Sequence, residues 1–142
     1  MIVTELRSDR IPTILPLVLA MCKEVKETVD LVYFTNTWRG ILDNGSGSIF
    51  TFNRTNGVIG CLTTHHPLNG SLVAYLMFEY MKPEYRGKYG IRMFQQFESW
   101  AKDRGSVSSC AGHNHNAPTD EHSAMLLRHG YTSRETIWVK EL

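Results

Sequence analysis

Two Asn-Gly dipeptides, Asn56-Gly57 and Asn69-Gly70, constrain this chain more than any other local feature. They separate three apolar, β-prone runs: Ser48 to Phe52, Val58 to Thr64 and Leu72 to Met81. Asn-Gly enters the left-handed backbone region at low steric cost, which makes it the strongest short-range hairpin signal. Three strands joined by two such turns predict an antiparallel meander. A meander has faces to bury, so the rest of the chain must supply the cover.

The flanking segments have the spacing for it. Ile2 to Leu6 alternates like a short first strand. Ser8 and Asp9 suit a helix cap and Pro12 the first turn, while Ile11, Leu15, Val18, Cys22 and Val25 recur at helical spacing. Pro16 inside that stretch should kink the helix or delay its start. A second helix carries Phe34, Trp38, Ile41 and Leu42 and ends at Gly45. Beyond Pro83 a stripe of Ile91, Phe94, Phe97, Trp100 and Ala101 runs until Gly105, a natural helix terminator. Val107 to Ala111 reads as a strand. A helix capped by Thr119 comes next, through Asp120, Glu121, Met125, Leu126 and Arg128 to Gly130, and Thr136 to Val139 reads as a closing strand. The expected architecture is one mixed α/β domain over residues 1–142, in the order β-α-α-β-β-β-α-β-α-β. Its centre is a mostly antiparallel, mixed sheet of about six strands flanked by about four helices.

Composition narrows the classes of function. At 142 residues with 42% hydrophobic and 20% charged content, the chain is an ordinary single globular domain. Lys plus Arg is 15 against 14 Asp plus Glu, a net charge of +1, so no global field favours nucleic acid or a membrane surface. Three cysteines, Cys22, Cys61 and Cys110, are too few for a disulfide framework and point to a reducing compartment. The longest apolar run, Ile14 to Cys22, contains a proline and is too short to span a bilayer. No signal peptide, internal repeat or linker is legible, and the expected location is the cytoplasm.

The most informative stretch is the join Met81-Lys82-Pro83-Glu84-Tyr85-Arg86-Gly87-Lys88-Tyr89-Gly90-Ile91-Arg92. A strand runs into a loop rich in glycine and cations, and a helix opens directly from it. Free N–H groups at a helix start, together with the helix dipole, make an anion site. Glycines admit phosphate oxygens close to the backbone, and Arg86, Lys88 and Arg92 add charge. Each charge-assisted hydrogen bond to phosphate is worth roughly 1.5–3 kcal/mol. The plain alternative is a solvated basic turn whose glycines serve backbone geometry alone.

Pro-Glu-Tyr-Arg-Gly-Lys, a second glycine, and an amphipathic helix ending Glu-Ser-Trp-Ala-Lys-Asp-Arg-Gly resemble the cofactor motif of GNAT-type N-acetyltransferases. Met125-Leu126-Leu127-Arg128-His129-Gly130-Tyr131 resembles that family's last helix and its Gly-Phe or Gly-Tyr turn. Element order and length agree, so the resemblance covers nearly the whole chain. It implies acetyl-CoA as cosubstrate, no metal, and direct transfer of acetyl to a primary amine on a small molecule or protein. The family's R-x-x-G-x-G/A loop wraps the CoA pyrophosphate, a role that falls here on Arg86, Gly87, Lys88, Tyr89, Gly90, Ile91 and Arg92. Met81 stands where the family's strand splays to hold pantetheine and polarise the thioester. The sequence also departs from the pattern. Tyr89 and Ile91 fall on small-residue positions, and Leu126 replaces the tyrosine that many relatives use to protonate the thiolate. Thr119 replaces the usual asparagine, for which Asn116 or Asn114 can serve. Family members often dimerise, which leaves a homodimer open. Short members with degraded motifs occur in compact genomes such as those of phages, and a viral origin would place the protein in the host cytoplasm.

Two residues are candidates for acid and base. Glu79, two residues before Met81, shares its strand face and suits a general base, against a plain reading as a surface salt-bridge partner. Tyr80 points to the other face, into the core. His113 ends the penultimate strand and has a suitable unperturbed pKa, roughly 6.5. His65 and His66 belong to a hairpin end. Tyr33, Phe34 and Trp38 are candidates for an acceptor pocket, or for core. Two rival readings compete with the enzyme. Cys110, His113, His115 and His122 carry zinc-type donors. A catalytically degraded domain of the same fold would act instead as a CoA-binding or protein-interaction module.

Overall fold

One sheet organises the computed structural model, which describes residues 2–112, 120–134 and 137–142. Its strands are β1 (Val3–Glu5), β2 (Gly47–Phe52), β3 (Gly57–His65), β4 (Leu72–Met81) and β5 (Ser108–Cys110), adjacent in that order. The first four are antiparallel to their neighbours, and β5 runs parallel to β4. The expected meander of β2, β3 and β4 is present. Its first turn is placed differently: the left-handed residues are Asn53 (φ 43°) and Arg54 (φ 68°), and Gly57 already pairs with Phe52 in the ladder. Gly57 is required for space instead, since a Cβ there would lie 2.6 Å from the Met81 sulfur. At the second turn Gly70 does take positive φ, 72°.

Pro16 delays the first helix as expected. A 3-10 segment, Ser8–Ile14, precedes α1 (Leu15–Val25). In α2 (Leu31–Asn44) the Asp30 carboxylate accepts from the Tyr33 N–H at 3.0 Å, and Gly45 ends the helix at φ 77°. Ile11, Ile14, Leu17, Val18, Cys22 and Trp38 pack on the sheet face that carries Ile49 and Val58. The opposite face carries Phe50, Phe52, Ile59, Cys61, Ala74 and Met81. It is covered by Met93, Phe94, Phe97, Trp100 and Ala101 of α3 (Lys88–Asp103). Met125 and Leu126 of α4 (Asp120–Arg128) join that second face. Alternate residues of one strand thus enter two cores, which is why β2 is buried along its whole length. Each fully buried Phe or Ile contributes roughly 1.5–3 kcal/mol. Between the layers the Trp100 indole donates to Ser48 Oγ at 3.0 Å, and Ser48 Oγ donates to Glu5 at 2.8 Å, so the polar atoms there are satisfied.

One irregularity breaks the regular pairing of β3 with β4. Gly60 opposes Phe78 while Cys61 opposes Leu76, so Met77 is an extra residue bulged out of β4. The Phe78 ring lies on Gly60, where an added Cβ would meet it at 2.1 Å. The ring cannot easily retreat, because Trp38 packs edge-on against it at 5.0 Å and Phe34 at 5.5 Å. Gly60→Ala is therefore expected to cost about 1–3 kcal/mol and to lower the melting temperature by several degrees. A thermal melt equal to wild type would show that the ring yields freely.

Among the described residues the expected sixth strand is not formed. Thr136 lies outside the described residues, and residues 137–142 carry no strand, with Trp138 90% exposed. The alternation there is strand-like, but a strand exists only where another edge receives it, and the described part of this segment pairs with none. No helix among the described residues is long and apolar enough to cross a membrane.

Candidate active site

The pairing of β4 with β5 ends at Tyr75 and Cys110, and the bulge at Met77 comes directly after. From there on the two strands part. A cleft of about 820 Å³ opens along the freed edge of β4, residues 76 to 81. Its other walls are the C-terminal half of α1 (Met21, Cys22, Glu24), the start of α3 (Arg86, Gly87, Gly90, Ile91), and α4 (His122, Met125, Arg128). The resemblance puts the splay at Met81, and the pairing of β4 with β5 ends at Tyr75. Met81 remains paired with Gly57, buried at 8% exposure, and its carbonyl accepts from Arg86 Nε at 2.9 Å. The physical reason is the extra residue at 77, which bends the strand and ends the ladder on its β5 side.

The start of α3 is built as an open helix end. Gly87 is the N-cap with φ 86° and ψ −122°, a conformation that strains any residue bearing a Cβ, and among the described residues no side chain caps the helix. The first helical hydrogen bond runs from Ile91 N–H to Gly87 C=O at 3.0 Å, so the preceding N–H groups of the turn are free of intrahelical partners. A Cβ built at Gly87 or Gly90 meets nothing within 4 Å. Of the residues assigned to the cofactor loop, Arg86, Gly87, Gly90 and Ile91 line the cleft, and Met81 lines it beside them. Lys88, Tyr89 and Arg92 do not. The Lys88 ammonium lies over the Tyr89 ring at 5.1 Å, and that ring stacks on Phe52 at 5.2 Å as part of the core. Arg92 is exposed. Lys88 and Tyr89 can therefore serve a ligand through their backbone N–H groups, and Arg92 through its distant charge. Asn116 and its alternate Asn114 lie outside the described residues.

Arg86 is already engaged. Beyond its bond to Met81 C=O, its guanidinium donates to Glu24 of α1 at 2.6 Å and lies 5.6 Å from the Tyr80 ring centroid. It braces the turn against both the end of β4 and α1, across the base of the cleft.

Glu79 faces the same side of the sheet as Met81 and opens into the cleft, as strand alternation predicts. It also has the ion-pair partner of the plainer reading, with 35% of its side chain exposed. Its Oε1 lies 3.2 Å from Nδ1 of His122, which α4 brings across the cleft. Desolvation pushes the Glu79 carboxyl up to about 7. Desolvation also lowers the His122 imidazole below its ordinary value, partly offset by a hydrogen bond with the Gly112 backbone. Both shifts disfavour a charged pair.

The remaining candidates are placed as well. His113 lies outside the described residues, as does His115. Cys110 is exposed on β5, His122 is committed to Glu79, and no group of three metal-type donors occurs among the described residues. Leu126, at the place of the usual tyrosine, packs on the core, and the nearby phenol of Tyr131 is 2.6 Å from Ser109 Oγ. Trp38 and Phe34 belong to the core, Tyr33 is exposed, and none of the three lines the cleft. Glu24, which sequence reasoning leaves unassigned, and His122, which it reads only as a possible zinc donor, complete it. His122 carries a signal only in residue type, and Glu24 carries none.

Comparison with known proteins supplies the family. The sequence profile described as the acetyltransferase (GNAT) family matches residues 14–131. Among solved structures, a predicted acetyltransferase with acetyl-CoA from Clostridium acetobutylicum is similar at TM-score 0.80 and 12% identity, over 99% of this chain and 95% of that one. A ribosomal-protein-alanine N-acetyltransferase from Brucella melitensis biovar Abortus 2308 is similar at TM-score 0.74 and 11% identity, over 100% of both chains. An aminoglycoside antibiotic 6'-N-acetyltransferase from Acinetobacter haemolyticus is similar at TM-score 0.73 and 14% identity, over 100% of this chain and 99% of that one. No curated protein sequence matches. Such identities establish a shared fold, while the profile match runs through α1, the bulged strand, the open helix start and α4. The chain belongs to the GNAT acetyltransferase family.

Proposed function

We propose that this protein transfers an acetyl group from acetyl-CoA to a primary amine, with Glu79 as the general base. One observation carries the reading: a single cleft joins an open, glycine-lined helix start to the Glu79 carboxyl. The helix start fits a pyrophosphate. Free N–H groups and the helix dipole favour anions, and the open space at Gly87 and Gly90 admits phosphate oxygens where side chains would block them. The freed edge of β4 at residues 76 to 78 offers main-chain groups to the amides of pantetheine. When bound, acetyl-CoA supplies an activated acyl carbon with a thiolate leaving group.

The chain's own residues do the rest. Leu76, Met77, Ile91, Met93 and Met125 give the cleft apolar walls that keep water from the acyl group. Arg86, held by Glu24 and Met81, fixes the turn that aims the amides of α3. Glu79 takes a proton from the acceptor nitrogen, for which a carboxyl titrating at about 7 is well matched. Isothermal calorimetry with acetyl-CoA and a thiol-release assay across small amines, peptides and aminoacyl compounds test the proposal. Binding on the order of micromolar, with thiol release on an amine, is expected. Absence of both overturns it, and binding without release on any amine favours a cofactor-binding module.

A further inference from the structure

We propose that Arg128 is the side chain that recognises the 3′-phosphate of CoA, so that the protein distinguishes CoA from 3′-dephospho-CoA. The inference rests on the acetyl-CoA reading of the cleft. Arg128 stands in the last turn of α4 and lines the cleft with Ala124 and Met125, which precede it by about one turn on the same stripe. The end of α4 is held against α3, since the His129 and Tyr131 rings pack edge-on against Phe94 with centroids 5.8 and 5.4 Å apart. Gly90 lies one turn, about 6 Å, before Phe94 on α3. Arg128, next to His129, is thereby brought toward the phosphate end of the cleft. Glu79 and His122 mark the opposite, reacting end. From His122 to Arg128, α4 runs about 9 Å away from those groups.

The charges on the cleft leave this task to one residue. Arg86 and Arg128 are the Lys or Arg residues on its described walls. Arg86 is held by Glu24 at 2.6 Å and by the Met81 carbonyl at 2.9 Å. Among the described residues no carboxylate pairs with Arg128, and Glu98 of α3 faces His129 at 3.7 Å instead. The start of α3 serves the pyrophosphate with N–H groups and its dipole. The 3′-phosphate is a monoester with close to two negative charges at neutral pH, and it offers a guanidinium two oxygens at once. With the helix start taken, a side-chain cation is what can meet it.

A role in closing α4 explains Arg128 less well. Gly130 ends that helix at φ 84°. The Gly130 N–H donates to the Leu127 carbonyl at 3.1 Å and the Tyr131 N–H to the Leu126 carbonyl at 3.0 Å. Backbone groups thus serve the last turn, and the guanidinium is not needed there.

The test is calorimetry with CoA and with 3′-dephospho-CoA on wild type, Arg128→Gln and Arg128→Lys, with a thermal melt of each. Wild type is expected to bind CoA about tenfold more tightly than the dephosphorylated form. Arg128→Gln should bind both ligands alike, at the wild-type affinity for 3′-dephospho-CoA. Arg128→Lys should recover part of the preference, since it keeps the charge and loses the two-pronged contact. A wild type without preference overturns the proposal, as does a preference that survives in Arg128→Gln. Equal weakening of both ligands in Arg128→Gln also overturns it, and a lowered melting temperature alongside would assign Arg128 to the fold. Failure of wild type to bind either ligand would refute the acetyl-CoA reading, and this proposal with it.

Discussion

Gly90→Asp is expected to weaken acetyl-CoA binding about 100-fold or more while the protein stays folded. Gly90 lines the cleft in the first turn of α3, and a Cβ there meets nothing within 4 Å. Its φ is not in the left-handed region, so a side chain strains nothing. A carboxylate in the first turn of a helix is itself favourable, which preserves or raises the melting temperature. Toward a pyrophosphate the same carboxylate is a like charge in the position meant for its neutralisation. Two such charges about 4 Å apart at an effective dielectric near 20 repel by about 4 kcal/mol, which corresponds to between two and three decades in affinity. Calorimetry on wild type, Gly90→Asp and Gly90→Ala separates charge from bulk, since the alanine variant lacks the charge. Equal affinity in all three would remove the helix start from the cofactor site.

Glu79→Gln is expected to lower kcat by about 10²- to 10⁴-fold with acetyl-CoA affinity unchanged. Wild-type turnover should rise with pH through about 7, as the carboxyl loses its proton and becomes able to accept one, and the variant should lose that rise. A variant rate equal to wild type across pH 6–9 would exclude Glu79 as the base. Stability reports on the same group with the opposite sign. The folded carboxyl titrates at about 7 against an ordinary value of 4.5, so the folded state holds its proton more tightly than the unfolded chain does. Stability from this group is fully present below about 4.5 and is lost as pH rises through about 7. The glutamine variant escapes that loss. Its melting temperature should exceed that of wild type by a few degrees at pH 8, the effect being moderated because 35% of the Glu79 side chain still meets solvent. The advantage should vanish at pH 4. His122 acts in the other direction: its depressed folded pKa costs stability as pH falls below its ordinary value near 6.5.

Glu79 and Gly90 are both visible along the chain, and each for a local reason. Glu79 is legible as a cleft residue because strand alternation puts it on the face of Met81. Gly87 and Gly90 are legible because a strand–glycine–helix join leaves backbone donors open. The chain is less transparent where one element acts on another. Asn56-Gly57 marks a hairpin, but the left-handed turn forms at Asn53 and Arg54, because Gly57 is drawn into the ladder under the Met81 side chain. The cleft depends on the bulge at Met77, and that bulge depends on Phe78 seating on Gly60 across the strand pair. Tyr89 and Lys88 look like phosphate-loop residues in a linear reading, yet the Tyr89 ring turns to Phe52 and takes the Lys88 ammonium with it.

The sequence by itself determined the helices, the meander and the open start of α3, because each rests on hydrogen bonds and apolar spacing within a few residues. Only the tertiary structure decided which polar groups meet in the cleft. Arg86 finds Glu24 from 62 residues away, and His122 of α4 finds Glu79 of β4. The shifted titration of Glu79 belongs to that second level as well, since desolvation is a property of the packed walls and not of the residue.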